Sequence, residues 1–278
     1  QWMKDYKIPA YDEDKGTGIV RHIMGRTGVH SGEIMVCIVT AVPMVPHMKE
    51  LVQMLRKDVP GLTSVIQNIN SRHTNVILGN KTKVIYGSPT ISDSIGDLSF
   101  RISAQSFFQV NSEQAQKLYD TALSYADLKG NETVVDVYCG TGTITLFLAK
   151  RAKFAYGIEI VEPAIRDAVK NARDNGVKNA HFMCGDAAYK LPELLRSGVK
   201  PDVIVIDPPR AGCEEKVLNA IASVKPKRVV YVSCNPATLA RDLAYMKTRG
   251  YETKKVQPVD MFPQTHHVET VALLVRKR

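Results

Sequence analysis

Strands and helices alternate strictly from Thr133 onward. Short apolar runs rich in Val and Ile are each followed by a segment of helical period. This alternation predicts a parallel α/β sheet that is covered by helices on both faces, and we expect its seventh strand to be antiparallel. The predicted strands are Val134–Tyr138, Ala155–Ile160, His181–Cys184, Val203–Asp207, Arg228–Ser233, Glu252–Val259 and Val268–Arg276. The predicted helices are Ile144–Ala152, Glu162–Asn175, Ala188–Arg196, Glu214–Val224 and Ala237–Arg249.

The first part of the chain has the pattern of a smaller α+β module of the β-β-α-β type. Its one helix begins at Pro46 and ends before Pro60. The pattern changes near residue 98, so we predict a small α+β domain in residues 1–98 and a second domain in residues 99–278, which begins with the amphipathic helix Ser112–Ala126. The predicted strands of the module are Ile19–Arg26, Glu33–Thr40, Ser64–Asn70, Asn75–Leu78 and Lys83–Tyr86.

Glycines and acidic residues lie where the predicted strands end. Gly140 and Gly142 follow the first strand of the sheet and let the backbone approach a ligand. The loop has neither the glycine fingerprint of dinucleotide folds nor the lysine of a phosphate-binding loop. Glu159 ends the second strand, about twenty residues on, where a carboxylate can accept both hydroxyls of a ribose. Asp186 and Asp207 follow the next two strands, and since ligands of open α/β sheets bind at these ends, we expect an adenosyl ligand.

Two further residues near the same edge can perform covalent chemistry. Cys234 ends the fifth strand just before a helix, a position that favours a thiolate, although a cysteine after an apolar run is often a small core residue. Glu269 precedes the last strand and can accept a proton from a substrate, or can be a solvated loop residue. Gln109 lies between apolar neighbours and needs a partner if it is buried, which a ligand can provide. No metal site is predicted, because nothing completes a ligand set around His266 and His267.

The composition is that of a globular protein with a polyanionic partner. The net charge is +9, which favours nucleic acid, and the five cysteines form no Cys-x-x-Cys pair. No segment approaches the roughly 20 apolar residues of a membrane span and no leader is recognisable, so we expect a cytoplasmic protein and a monomer. Because the chain begins at Gln1 in a polar segment, we interpret it as a fragment. The basic residues of the first module that can contact RNA are Lys15, Arg21, His22, Arg26, Arg72, His73, Lys81 and Lys83.

Five motifs follow one another along the chain: Phe107-Phe-Gln-Val-Asn111, Asp136-Val-Tyr-Cys-Gly-Thr-Gly142, Asp207-Pro-Pro-Arg-Ala-Gly212, Ser233-Cys-Asn-Pro236 and His267-Val-Glu269. Their order resembles the RNA 5-methyluridine methyltransferases, and in particular the bacterial 23S rRNA uridine-5 enzymes of the bifunctional Gram-positive type. The resemblance is dense in residues 99–278 and looser before them. It implies a class I (Rossmann-like) methyltransferase sheet of seven strands, S-adenosylmethionine as the cofactor and 23S rRNA as the partner. Relatives often begin with a β-barrel RNA-binding domain, which agrees with the fragment interpretation.

The resemblance also implies a role for each candidate residue. Cys234 is the nucleophile that adds to carbon 6 of uridine, which makes carbon 5 reactive, and Glu269 is the base that removes the carbon 5 proton. The target uridine is expected to flip out of its RNA and to contact Phe107, by stacking, and Arg210. The expected cofactor contacts are Gln109, Tyr138, Gly140, Glu159, Asp186 and Asp207.

Three other functions remain open from the residues alone. Cytosine-5 methyltransferases take a cysteine near the Asp-Pro-Pro turn, which makes Cys213 a rival nucleophile. Amino-group methyltransferases use an Asp-Pro-Pro motif without a cysteine, but usually place an aromatic residue where this chain has Arg210. A non-catalytic RNA-binding protein on the same fold would need neither Cys234 nor Glu269.

Overall fold

The computed structural model describes residues 1–277, which form two compact units. The first unit comprises Gln1–Ser94 and Phe100–Phe108, and the second comprises Ile95–Ser99 and the chain from Gln109 onward. A single boundary between residues 98 and 99 would assign Phe100–Phe108 to the second domain. The structure includes this segment in the first unit, since Ile102 is buried there in one cluster with residues of the central strands.

The first unit contains a four-stranded sheet with one crossover helix. Strands β1 to β4 lie in sequence order; β1–β2 and β3–β4 are antiparallel, while β2 and β3 are parallel and are connected through α2. The predicted β-β-α-β order is therefore confirmed. A hairpin of β5 and β6 follows as a two-stranded sheet, and its turn segment Ile95–Ser99 is assigned to the second unit. The elements are α1 (Trp2–Asp5), β1 (Val20–Thr27), β2 (Ile34–Thr40), α2 (Met48–Asp58), β3 (Leu62–Ile69), β4 (Lys81–Gly87), β5 (Thr90–Ile95) and β6 (Leu98–Ser103).

The segment Asn75–Leu78 is an irregular loop, so the prediction of a strand there was wrong. The side-chain amide of Asn70 donates hydrogen bonds to the carbonyl oxygens of Val76 and Ile77, at 2.6 and 3.1 Å. Because a side chain occupies these carbonyl groups, the segment does not form strand pairing.

The second unit contains the predicted seven-stranded sheet. Its strand order is β12-β13-β11-β10-β7-β8-β9, and only β13 runs antiparallel to its neighbours. Helix α3 has the predicted bounds. The elements are α3 (Ser112–Ala126), β7 (Thr133–Val137), α4 (Thr143–Ala149), β8 (Phe154–Glu159), α5 (Glu162–Asp174), β9 (Ala180–Cys184), α6 (Ala187–Arg196), β10 (Val203–Ile206), α7 (Glu215–Val224), β11 (Arg228–Ser233), α8 (Pro236–Thr248), β12 (Tyr251–Val259) and β13 (Glu269–Arg276).

The central strands are apolar on both faces because both faces are covered. Val135, Ile204 and Val229 are at most 1% exposed and pack with residues of α6, α7 and α8. On the opposite face, Asp136 forms a hydrogen bond with Thr145 of α4. Within the described chain, no helix has both the length and the apolar character that crossing a membrane requires.

Candidate active site

Strands β7 and β10 are neighbours at the point where the strand order reverses, so the loops that follow them border a crevice. The loop after β7 turns sharply, since Tyr138, Gly140 and Gly142 have positive φ values of 68°, 54° and 82°. A Cβ atom added at Gly140 would meet no atom within 4 Å, whereas one added at Gly142 would lie 3.0 Å from Ala168 and Phe182. Gly140 therefore borders open space, and Gly142 packs against the protein.

Glu159 at the end of β8 is anchored beside this loop. Its Oε2 accepts a hydrogen bond from the backbone N–H of Gly140 at 3.2 Å, and its Oε1 accepts one from Val161 at 2.9 Å. Each carboxylate oxygen can accept more than one hydrogen bond. The partly exposed carboxylate can therefore also accept hydrogen bonds from a ligand that lies against Gly140.

Asp136 is a buried acid with one unsatisfied oxygen. Asp136 is only 1% exposed. Its Oδ2 accepts a hydrogen bond from Thr145 at 2.6 Å, whereas its Oδ1 has no hydrogen-bond partner among the described residues. Burial raises the pKa of Asp136 to about 7. Such an oxygen is costly unless a donor or a cation reaches it. Asp136 has no role predicted from the sequence, although an acid within the apolar run from Val134 to Val137 was a usable signal.

Asp207 interacts electrostatically with Asp136 and with a third carboxyl group, that of Glu269. Asp207 follows β10 and is partly accessible, and its pKa is raised by desolvation and by the charges of Glu269 and Asp136. Glu269 is 6% exposed, and its pKa is raised by burial, while the nearby Arg210 opposes this effect. The crevice therefore concentrates carboxyl groups, and a cationic ligand there would favour their ionised forms.

Tyr119 of α3 belongs to this group, although the sequence analysis did not identify it. The buried phenol interacts electrostatically with Asp136, Asp207 and Glu269, and it forms a side-chain hydrogen bond with Gln109. Gln109 is itself 8% exposed. The buried amide therefore has a protein partner, as its burial requires.

Cys234 and Glu269 lie opposite each other at the ends of two paired strands. Ser233 and Thr270 form the terminal pair of β11 and β13, and Cys234 and Glu269 are the next residues on the two strands. The half-buried Cys234 precedes Asn235, whose side chain caps α8. The strand pairing thus brings a thiol and a carboxylate to one point of the sheet edge.

The Cys234 loop is also joined to the Asp-Pro-Pro-Arg turn after β10. The carbonyl oxygen of Arg210 accepts hydrogen bonds from Asn235 Nδ2 at 3.1 Å and from Thr238 Oγ1 at 3.3 Å. The exposed guanidinium of Arg210 acts electrostatically on both Cys234 and Glu269. Arg210 therefore brings a positive charge to this part of the site.

The expectation that the position of Cys234 favours a thiolate was wrong. Burial raises the pKa of Cys234, and the negative charges of Glu269 and Asp207 raise it further, against the weaker opposing effect of Arg210. Two nearby carboxylates outweigh the partial positive charge of the α8 N-terminus.

Cys213 is less accessible than Cys234. It is 3% exposed, its Sγ lies 3.6 Å from the Tyr138 hydroxyl, and burial raises its pKa to about 12. Its backbone N–H donates to Asp242 at 2.7 Å, which fixes it against α8. A buried thiol of this kind is a poor nucleophile.

The remaining predicted residues lie apart from the Cys234–Glu269 pair or are engaged elsewhere. Asp186 caps α6 and forms an ion pair with Lys216 at 2.9 Å, and the hydrogen bond from Lys216 lowers the pKa of Asp186. Phe107 is 75% exposed and belongs to the first unit, whereas the other candidates belong to the second. Among residues 1–277, no group of three or more His, Cys, Asp or Glu side chains has an arrangement suited to a metal ion.

Sequence comparison finds RNA methyltransferases along nearly the whole chain. The chain is 54% identical to an uncharacterized RNA methyltransferase of Halalkalibacterium halodurans, over 99% of this chain and 60% of the relative. It is 53% identical to one of Caldanaerobacter subterraneus subsp. tengcongensis, over 99% of this chain and 61% of the relative. The chain thus spans about 60% of the length of the curated relatives that it matches.

Structure comparison agrees with this result. The crystal structure of the Pyrococcus abyssi tRNA (uracil-54, C5)-methyltransferase in complex with S-adenosyl-L-homocysteine matches 98% of this chain and 64% of its own, with 30% identity and a TM-score of 0.81. A transferase of Pyrococcus horikoshii, 16% identical with a TM-score of 0.58 over 94% of this chain and 92% of its own, shares the fold. The family model described as tRNA (Uracil-5-)-methyltransferase matches residues 30–277. The chain therefore belongs to the tRNA (uracil-5-)-methyltransferase family.

Proposed function

We propose that this chain transfers a methyl group from S-adenosylmethionine to carbon 5 of a uridine in RNA. The observation that carries the proposal is the position of Cys234 opposite Glu269 at the ends of β11 and β13. The reaction needs a nucleophile for carbon 6 and a base for the proton on carbon 5, and these two side chains provide both. Membership of the uracil-5 family supports the same reaction.

The residues at the crevice fit S-adenosylmethionine. Glu159 can accept hydrogen bonds from ribose hydroxyls, the open space at Gly140 admits a ligand close to the backbone, and the unpaired Oδ1 of Asp136 can accept a hydrogen bond from an ammonium group. When bound, the cofactor supplies an electrophilic methyl group on a sulfonium. The solved relative in complex with S-adenosyl-L-homocysteine supports this assignment. We assign the other cofactor contacts to Gln109, Tyr138, Asp186 and Asp207.

The proposed mechanism uses the pair as follows. The thiolate of Cys234 adds to carbon 6 of the uracil, and the electron pair of the 5,6 double bond moves onto the carbonyl at carbon 4. Carbon 5 then forms a bond to the methyl group, while the bond between that group and the sulfonium sulfur breaks and leaves its electron pair on the sulfur. Glu269 removes the remaining proton from carbon 5, the double bond forms again, and the thiolate of Cys234 leaves carbon 6. Because burial raises the pKa of Glu269, its carboxylate is a stronger base than an exposed one.

We propose 23S rRNA as the substrate, on the resemblance of the five motifs to the bacterial 23S rRNA enzymes. In this proposal the uridine flips out of the RNA, Phe107 stacks on it and Arg210 contacts it. We further propose that the protein acts as a monomer in the cytoplasm. The competing substrate is tRNA, because the family description and the solved relative both name it.

The test is methylation of defined RNAs with methyl-labelled S-adenosylmethionine, followed by digestion to nucleosides and mass spectrometry. We expect 5-methyluridine from a 23S rRNA transcript, loss of product with Glu269→Gln, and product at a similar rate with Cys213→Ser. Product on tRNA alone would keep the reaction and overturn the target. 5-Methylcytidine or a methylated exocyclic amine would overturn the reaction itself.

A further inference from the structure

The loop of residues 70–80 in the first unit is exposed but held in one shape by polar side chains. Asn68 is fully buried, its Nδ2 donates to the carbonyl of Gly79 at 2.9 Å, and its Oδ1 accepts from the Gly79 N–H at 2.7 Å. Gln105 donates to the same carbonyl at 2.8 Å, and Asn70 holds the two carbonyls described above. These hydrogen bonds hold the backbone of the loop in place.

Arg21 fixes the other end of the loop. Its side chain is 1% exposed, and its guanidinium donates to the carbonyl oxygens of Asn70, Arg72 and Thr74 at 3.0, 2.5 and 3.2 Å. Glu13 pairs with the same guanidinium at 2.9 Å. Arg21 therefore shapes the loop and is not available to an RNA phosphate, although the sequence analysis included it among the candidate contacts.

The fixed loop and the start of β4 expose both cationic and apolar side chains to solvent. Val76 and Ile77 are 59% and 52% exposed, and the basic residues beside them are exposed as well. Residues 59–92 contain no Asp or Glu, so this charge has no acidic neighbour in its own segment. We name this set the loop surface; it consists of Arg72, His73, Val76, Ile77, Lys81 and Lys83.

We propose that the loop surface binds single-stranded RNA of the substrate, outside the uridine that is methylated; this rests on the function proposed above. Lysine and arginine side chains neutralise phosphates, and unpaired bases offer apolar faces to Val76 and Ile77 and a ring for His73 to stack on. A loop that is already rigid loses little conformational freedom when RNA binds. Exposed apolar side chains on a rigid, basic, carboxylate-free segment fit this partner better than they fit an acidic protein surface, which would leave Val76 and Ile77 without contacts.

The test compares two double variants with the same change in net charge. The first, called the loop pair, is Lys81→Gln with Lys83→Gln and removes two cations of the loop surface. The second, called the α2 pair, is Lys49→Gln with Lys57→Gln and removes two exposed cations of α2. Binding of a fluorescent oligouridylate is measured against salt concentration. We expect the loop pair to weaken binding about tenfold at low salt and to reduce the slope of log affinity against log salt by about 0.7 for each lost contact. We expect the α2 pair to retain the wild-type slope.

A second variant tests the apolar part. Val76→Ser with Ile77→Ser is expected to weaken binding at every salt concentration without a change of slope. Equal slopes for the loop pair and the α2 pair would overturn the proposal, and so would loop variants that lower the melting temperature but leave RNA affinity unchanged, since the surface would then contact protein. If the wild type makes no methylated RNA but the loop pair still weakens RNA binding more than the α2 pair does, the proposed function alone is overturned. A methylating wild type with a loop pair that binds like the α2 pair would count against the loop surface alone.

Discussion

The reactivity of Cys234 is decided by charges that come from elsewhere in the chain. Burial, Glu269 and Asp207 keep the proton on its sulfur, and Arg210 is the group that opposes them. The thiolate is the nucleophile, so the thiol must lose its proton before it can react. Arg210 thus contributes to reactivity by favouring the thiolate as well as by any contact with substrate.

Arg210→Gln should move the reactivity of Cys234 to higher pH. Removing the guanidinium raises the pKa of the thiol further, so the thiolate fraction at a given pH falls and the rate of reaction falls about three- to tenfold near neutral pH. The measurement is the rate of alkylation at Cys234 against pH, resolved by mass spectrometry from the other cysteines. Arg166→Gln, an exposed arginine on α5, is the control and should leave the profile unchanged. A profile shifted to lower pH would contradict the assigned electrostatics.

Asp136→Asn should stabilise the protein above neutral pH and weaken cofactor binding. The folded pKa of Asp136 is about 7, against about 3.9 in an unfolded chain, so between these values the folded state holds a proton that the unfolded state has lost. Stability therefore falls as pH rises through this window, and an amide removes that loss. We expect the free energy of unfolding to rise by about 2–4 kcal/mol at pH 8 and by about zero near pH 4. Denaturant titrations at the two pH values measure the change in stability, and calorimetry measures S-adenosylmethionine binding. An equal change in the free energy of unfolding at both pH values would contradict this prediction.

The site was predictable where it depends on strand ends and not where it depends on packing. The ends of β8 and β10 follow from apolar runs, so Glu159 and Asp207 were found at the sheet edge. Tyr119 was missed because its partners come from other elements that only the packing of α3 brings near. The expectation that the position of Cys234 favours a thiolate failed for the same reason, because Glu269 and Asp207 come from other elements.

The two glycines of the loop after β7 have different surroundings and therefore different roles. Both have positive φ, but only Gly142 has protein atoms where a side chain would be. Gly140 borders space that the proposed cofactor would use. Stability and binding should therefore respond differently at the two positions.

Gly142→Ala should destabilise the protein more than Gly140→Ala. At Gly140 the methyl group meets open space, so only the positive φ is unfavourable, at about 1 kcal/mol. At Gly142 contacts of 3.0 Å with Ala168 and Phe182 add to it, for a total of about 2–3 kcal/mol. The melting temperatures of the two variants measure this, and calorimetry should show the larger loss of S-adenosylmethionine affinity, relative to stability, for Gly140→Ala. Equal melting temperatures would contradict the account.

Secondary structure was predictable where hydrophobic period and length agreed. Helix α3 has the predicted bounds, and all seven strands of the sheet were found; β7 to β11 are short runs that are each followed by a helix. The false strand Asn75–Leu78 also has an apolar core. A single polar side chain, Asn70, removes its carbonyl groups from strand pairing, and sequence period does not reveal such a bond.

At the level of the complete chain, the two units are not two consecutive segments. The chain passes between them after Ser94, Ser99 and Phe108, a pattern that a single change of composition near residue 98 does not reveal. The returning segment supplies Ile102 to a buried cluster of the first unit. The end of the first unit is therefore determined by the packing of side chains such as Ile102 and not by a change of composition along the chain.

A fragment of residues 1–108 should be more stable than a fragment of residues 1–98. The shorter fragment lacks Ile102 and Ala104, which pack with Cys37 and Ile66 in the core of the first unit. Loss of a buried isoleucine alone typically costs about 2–5 kcal/mol, so we expect a lower melting temperature or a loss of cooperative unfolding. Thermal denaturation of the two fragments, followed by circular dichroism, compares them directly. Identical transitions would contradict the placement of Phe100–Phe108 in the first unit.

The proposal of a covalent cysteine mechanism is tested most directly by trapping with RNA that carries 5-fluorouridine. Fluorine at carbon 5 cannot be removed as a proton, so the bond between sulfur and carbon 6 should persist after methyl transfer. With S-adenosylmethionine present, we predict a protein–RNA adduct on denaturing gels for the wild type and for Cys213→Ser, located at residue 234 by mass spectrometry, and none for Cys234→Ser. An adduct that survives Cys234→Ser, or that is lost with Cys213→Ser, would contradict the assignment of Cys234 as the nucleophile.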